Sequence, residues 1–301
     1  MDNATAIAQL RKDKHTLLEG YVTEYLFEQQ FLIPKKTCYT HGWWTGTLYG
    51  QRFFFAIKHS LTELDKEIQS QLAKVYECWS VELDNGNWIF RKDGNALSLP
   101  QFIRAYNLVQ RQQIIRATRD TSDANRQDEC IRFFSQRGNL IRIAEERNFV
   151  DDILSVFFKG ILNVDFFTKS SQGKLCVLEI KFKNESREGC FGINVGEVAL
   201  FDELGELGFQ VFQAVLYKKR LPGTSSNTEQ SVFSYLKRPE ADKTWYMIPF
   251  SKSHLDAPSV APSYTSVDGK KSQSYYRLRK EKLLADKNKL GVVREDLLAL
   301  L

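Results

Sequence analysis

Asp165, Glu179 and Lys181 are the side chains whose types and spacing could do chemistry together. They stand in residues 161–183, ILNVDFFTKSSQGKLCVLEIKFK, where two apolar runs flank a polar segment with Gly173 near its end. That pattern predicts a β-hairpin with a short irregular loop. Side chains alternate along a strand, so Asp165 shares a face with Asn163 and Phe167, while Val177, Glu179, Lys181 and Lys183 share one on the second strand. Leu178, Ile180 and Phe182 then form an apolar layer to be buried with Val164 and Phe166. Two carboxylates and one amine converge on the opposite side. Such a set suits a divalent cation, because Mg²⁺ prefers oxygen ligands and is held by one or two carboxylates, water and substrate phosphate. A neighbouring lysine can orient or deprotonate a water whose pKa the cation lowers.

The elements around the hairpin agree. GINVGEVALFDELGELGFQVFQAVLYKK predicts an amphipathic helix with Leu200, Leu204 and Leu207 on one face, stopped at Gly208, then a buried strand from Phe209 to Tyr217. Asp165 followed by Glu179-Ile180-Lys181 on the next strand, with this helix and strand behind it, resembles the PD-(D/E)xK nuclease superfamily over residues 127–220. Val164 stands where the family name carries proline. The resemblance implies a mixed α/β fold with a restriction-endonuclease-like core, a mixed sheet flanked by helices. It implies that Asp165, Glu179 and the backbone carbonyl of Ile180 hold Mg²⁺ or Mn²⁺, and that Lys181 positions the attacking water or stabilises the pentavalent phosphate. The expected activity is metal-dependent hydrolysis of phosphodiesters, DNA first, in restriction, phage defence, repair or mobile-element chemistry.

In that superfamily a helix before the hairpin often adds another acid. Glu145, one helical turn beyond Ile141, is the candidate, with Glu146 and Glu129 as competitors, and Glu19 or Glu24 if the N-terminal helix is the relevant one. Asn194 and Glu197 open the helix after the hairpin, where they can touch a phosphate or the water shell of the metal, or cap the helix. Gln213 and Tyr217 form a Q-x-x-x-Y similar to a motif of one branch of these nucleases. That motif belongs on a helix. Here the surrounding FQVFQAVLYKK is rich in β-formers, so the match is rejected.

With 301 residues, one large or two modest domains are expected. We expect an α+β N-terminal domain over 1–117, a polar linker at 118–127, the nuclease-like core over 128–253, and an irregular segment with a charged C-terminal helix over 254–301. Helices are expected over 5–31, 98–119 and 127–147, a strand over 149–158, and a hairpin around Asn85-Gly86. Trp43 and Trp44 could stack on bases if exposed, but residues of this kind more often fill a small β core. The 43% apolar and 26% charged composition is that of a globular protein, and a net charge of +5 is compatible with a nucleic-acid partner without requiring one.

Five scattered cysteines without zinc spacing read as reduced thiols. The polar opening MDNATAIAQLRKDK predicts no secretory leader, and no run reaches transmembrane length, so a cytoplasmic protein is expected. His15, His41, His59 and His254 lack companions at metal-ligand spacing. LYGQRFFFAIK matches SQGKLCVLEIK loosely, with Ala56 at the place of Glu179 and Lys58 at that of Lys181. No acid stands on the strand before it, so an ordinary aromatic hairpin is the favoured reading over a duplication. Two other functions stay open: a non-cleaving nucleic-acid-binding or scaffold subunit of a larger complex, with a second copy or a partner subunit as companion, and an adaptor or small-molecule enzyme on another fold.

Overall fold

The computed structural model describes residues 1–111, 123–186, 188–219, 231–238, 244–261 and 273–285. The fold is mixed α/β, and its two compact units interleave along the chain. Met1–Lys14 and Thr40–Phe167 form one, while His15–Tyr39 joins the chain from Thr168 onward in the other. This differs from one cut within 118–127, of which residues 118–122 lie outside the described ones and Asp123 caps the next helix.

The first unit carries a six-stranded sheet of β2 (Trp43–Leu48), β3 (Gln51–Ile57), β4 (Glu77–Asp84), β5 (Asn87–Lys92), β6 (Asn95–Ser98) and β7 (Lys159–Val164), in the order β6-β5-β4-β3-β2-β7. β3 and β4 are parallel, joined by α3 (Glu63–Leu72), and the other pairs are antiparallel. Asn85 and Gly86 at φ +47° and +79° make the expected tight turn between β4 and β5. Phenylalanines fill the core, with Phe90 stacked 4.0 Å from Phe102 of α4 (Leu99–Ala105). Gly46 is required where Phe158 crosses β2, since a β-carbon there would lie 2.8 Å from the Phe158 Cβ. Trp43 and Trp44 are buried and belong to this core, not to a base-stacking surface.

Several expected elements differ. The helix over 5–31 is two, α1 (Asn3–Leu10) and α2 (His15–Phe27). That over 127–147 is α5 (Ala124–Gln136) and α6 (Leu140–Phe149), parted by Gly138 at φ +70°. Residues 149–158 are not a strand: α6 runs through a π-turn at Val150–Leu154 into α7 (Ser155–Phe157). Phe149, Val150, Ile153 and Leu154 are buried at helical spacing, and Asp151 reaches back to Arg147 at 3.6 Å. The helix expected over 98–119 is only α4, and residues 112–119 lie outside the described ones.

Another six-stranded sheet is made of β1 (Tyr39–Thr40), β8 (Phe166–Lys169), β9 (Leu175–Lys183), β11 (Gln210–Tyr217), β12 (Trp245–Pro249) and β15 (Leu284–Ala285), in the order β1-β8-β9-β11-β12-β15, and its strands from β9 onward lie in the second unit. β9 and β11 are parallel, with α8 (Val195–Glu206) between them in sequence. A smaller sheet runs β10 (Cys190–Asn194), β14 (Gln273–Arg279), β13 (Leu255–Ala261). The charged segment expected as a helix is therefore β14, where the alternation places Leu278 inside while Arg277 and Arg279 pair with Glu188 and Asp256. The terminal leucines lie outside the described residues. α2 belongs to this unit because it packs against β9, and its Phe27 meets Trp245 of β12 at 5.3 Å.

Candidate active site of the second unit

The geometry begins with the alternation of β9. Leu178, Ile180 and Phe182 face one side with Phe212, Ala214 and Leu216 of β11, and Phe182 meets Tyr235 of α9 (Val232–Lys237) at 5.6 Å. Val177, Glu179, Lys181 and Lys183 face the other with Val211, Gln213, Val215 and Tyr217. The turn between β8 and β9 closes through Ser170 and Lys174 at 2.8 Å, with Gly173 at φ +79°. Both sheet faces are covered. Glu179, expected on the face opposite the apolar layer, is 2% exposed.

A carboxylate so deep needs compensation. Lys181 provides it, with its ammonium on Glu179 Oε1 and 3.4 Å from Glu197 Oε1. Glu197 occupies the third position of α8 and closes a capping box with Asn194, whose Oδ1 accepts from Gly196 N at 2.9 Å. The two roles weighed for Asn194 and Glu197 thus meet in Glu197, which caps the helix and holds the lysine. Burial acts to raise the Glu197 carboxyl, but Lys181 and Lys183 outweigh it and hold it below the ordinary carboxylate range. Lys183 donates to the Gly192 carbonyl at 2.6 Å, and burial depresses its amine below the usual lysine value.

Gln213 completes this face. It stands in register with Glu179 across the parallel ladder, is 0% exposed, and neither its amide oxygen nor its nitrogen has a hydrogen-bond partner among the described residues. Sequence reasoning considered Gln213 only as part of a helical Q-x-x-x-Y. The signal that could have found it is a lone amide amid the apolar residues of a buried strand.

The other expected residues fall as follows. Asp165 is buried directly before β8, accepts from Asn163 Nδ2 at 2.5 Å, and counts with the first unit. Ile180 is buried in the middle of β9. Glu145 also lies in the first unit, 3.8 Å from the N-terminal amine and 3.4 Å from His59 Nε2. Its neighbour Glu146 is engaged with Arg142 and, at 3.4 Å, with Trp44 Nε1. Of the alternatives, Glu19 and Glu24 lie on α2, the helix against β9, and Glu19 is buried.

Among the described residues no three His, Cys, Asp or Glu side chains converge as a metal cluster. The donors on this face are carboxylate and amide oxygens, with an amide still lacking a partner. That set fits a hard cation completed by water, such as Mg²⁺ or Mn²⁺, and not a nitrogen- or sulfur-seeking metal. The described cysteines are all free, and no described helix is long and apolar enough to cross a membrane. No family model, curated protein or solved structure matches this chain.

Proposed function

We propose that the second unit is a metal-dependent nuclease hydrolysing phosphodiester bonds, in DNA first, inside the cytoplasm. The observation that carries this reading is the buried Glu179 carboxylate with Lys181 two residues on along the same face of β9, beside a parallel strand reached through α8. Glu179 and the Ile180 carbonyl are the groups of the second unit that hold Mg²⁺ or Mn²⁺ in this proposal. The cation, when bound, supplies a lowered water pKa and offsets charge on the phosphate.

The protein's own groups do the rest. Glu197 keeps a negative charge close to Lys181 and holds the amine toward the carboxylate face. From there Lys181 Nζ holds the water oxygen that attacks phosphorus, or donates to the phosphate oxygens as charge accumulates on them. Bond formation from water oxygen to phosphorus is matched by loss of the sugar oxygen. An upstream acid from α2, Glu19 or Glu24, now suits the second unit better than Glu145, because α2 packs on β9.

The test is incubation with single- and double-stranded DNA and RNA, with and without Mg²⁺, of the wild type and Glu179→Gln. Mg²⁺-dependent cleavage lost in the variant is the expected result. Tight binding with no cleavage on any substrate would make the protein a scaffold subunit instead.

A further inference from the structure

Gln213 has no evident structural reason to be where it is. Its ladder neighbours are Glu179 on β9 and Ile248 on β12, and the residues two places away on its own strand face are Val211 and Val215. Directly opposed residues of adjacent strands point to the same face with β-carbons about 5 Å apart. Glu179 is therefore the polar side chain that strand pairing sets beside the Gln213 amide. A buried amide with neither atom bonded is costly, and an apolar residue of the same shape would remove that cost. An uncompensated group in register with a buried carboxylate points to a third body that both of them bind.

We propose that Gln213 Oε1 is an oxygen ligand of the divalent cation held by Glu179, an inference that rests on the metal-dependent reading above. An amide oxygen is a hard, neutral ligand. It adds a ligand without adding charge to a face that already holds Glu179 and Glu197.

The experiment uses the full chain without nucleic acid. Mn²⁺ binding is followed by electron paramagnetic resonance, and melting is measured in EDTA. Gln213→Met is expected to weaken Mn²⁺ binding by about tenfold to a hundredfold, the loss typical when a metal site is stripped of a supporting group. The same variant is expected to melt higher in EDTA, because the orphaned amide is gone. Gln213→Glu is expected to tighten Mn²⁺ binding and decides the matter if the Met variant does not fold. Unchanged affinity in Gln213→Met, or unchanged or weakened affinity in Gln213→Glu, overturns Gln213 as a ligand. The metal-dependent reading survives that result if Glu179→Gln abolishes binding. Absence of Mn²⁺ binding by the wild type overturns both.

Discussion

Two hairpin–helix–strand arrangements in this chain can be laid side by side. β7-β2-β3-β4-β5-β6 and β1-β8-β9-β11-β12-β15 have the same order of hairpin, parallel neighbour and antiparallel outer strands. Ala56 faces Ser80 across β3 and β4 where Glu179 faces Gln213 across β9 and β11. Two residues further on, Lys58 and Lys181 each pair with the acid of a capping box, Asp65 at 2.8 Å and Glu197 at 3.4 Å. The two sheets thus share a strand order and the placement of a lysine against a capping-box acid.

The difference between them lies in what is left unsatisfied. Asp65, 0% exposed, accepts from Thr40, from Trp43 Nε1 at 3.0 Å, from Lys58, and from the Thr62 backbone and hydroxyl. Burial acts to raise its carboxyl, but Lys58 and these hydrogen bonds win and hold it below the ordinary range. Trp43 lies opposite Ala56, filling space next to a position where the other unit has an acid. One unit has thus turned the framework into a closed structural network. The other keeps a buried carboxylate, a lysine shared between two acids and an unbonded amide. Thr45 of β2 also holds a buried hydroxyl with no partner among the described residues, but Gln213 stands in register with the buried Glu179 carboxylate.

The largest expected effect separates the two lysines. Lys181→Ala is expected to lower Mg²⁺-dependent cleavage by about 10²–10³-fold, the contribution of one donor aimed at developing charge, with nucleic-acid binding nearly intact. Lys58→Ala should leave cleavage per folded molecule unchanged, and single-turnover assays on both variants measure the contrast. Second in size is stability. Asp65→Ala strands a half-buried ammonium and several donors, and is expected to cost about 3 kcal/mol in denaturant unfolding. An unchanged midpoint would break the claim that the first network is structural.

Acid titration sharpens the comparison further. Asp65 and Glu197 both have folded-state values below their unfolded ones. Each therefore adds stability that is fully present above the ordinary carboxyl range and is lost as pH falls through the folded value. Melting temperatures should drop with acid, and Asp65→Asn and Glu197→Gln should each flatten the curve. The smallest effect is expected at the helix cap, where Asn194→Ala should cost about 1 kcal/mol, read by the same unfolding measurement.

Much of the site was legible in the sequence because strand alternation is strict. It placed Glu179 and Lys181 on one face and Leu178, Ile180 and Phe182 on the other. It could not say that the polar face is covered, because α8 and β10 are brought there by tertiary packing. The interleaved division was hidden for a similar reason. α2 lies far from β9 in sequence, and its place in the second unit follows from the contact it makes. Asp65 escaped notice although Thr62-x-x-Asp65 has the capping-box form of Asn194-x-x-Glu197. Residues 149–158 misled because buried apolar residues in a short run do not distinguish helix from strand.

The most direct measurement is single-turnover cleavage of duplex and single-stranded DNA in Mg²⁺ by the wild type, Glu179→Gln and Asp65→Asn, each normalised to folded protein. Cleavage by the wild type and Asp65→Asn, with none by Glu179→Gln, is the predicted result. Cleavage by Glu179→Gln at the wild-type rate would contradict the account.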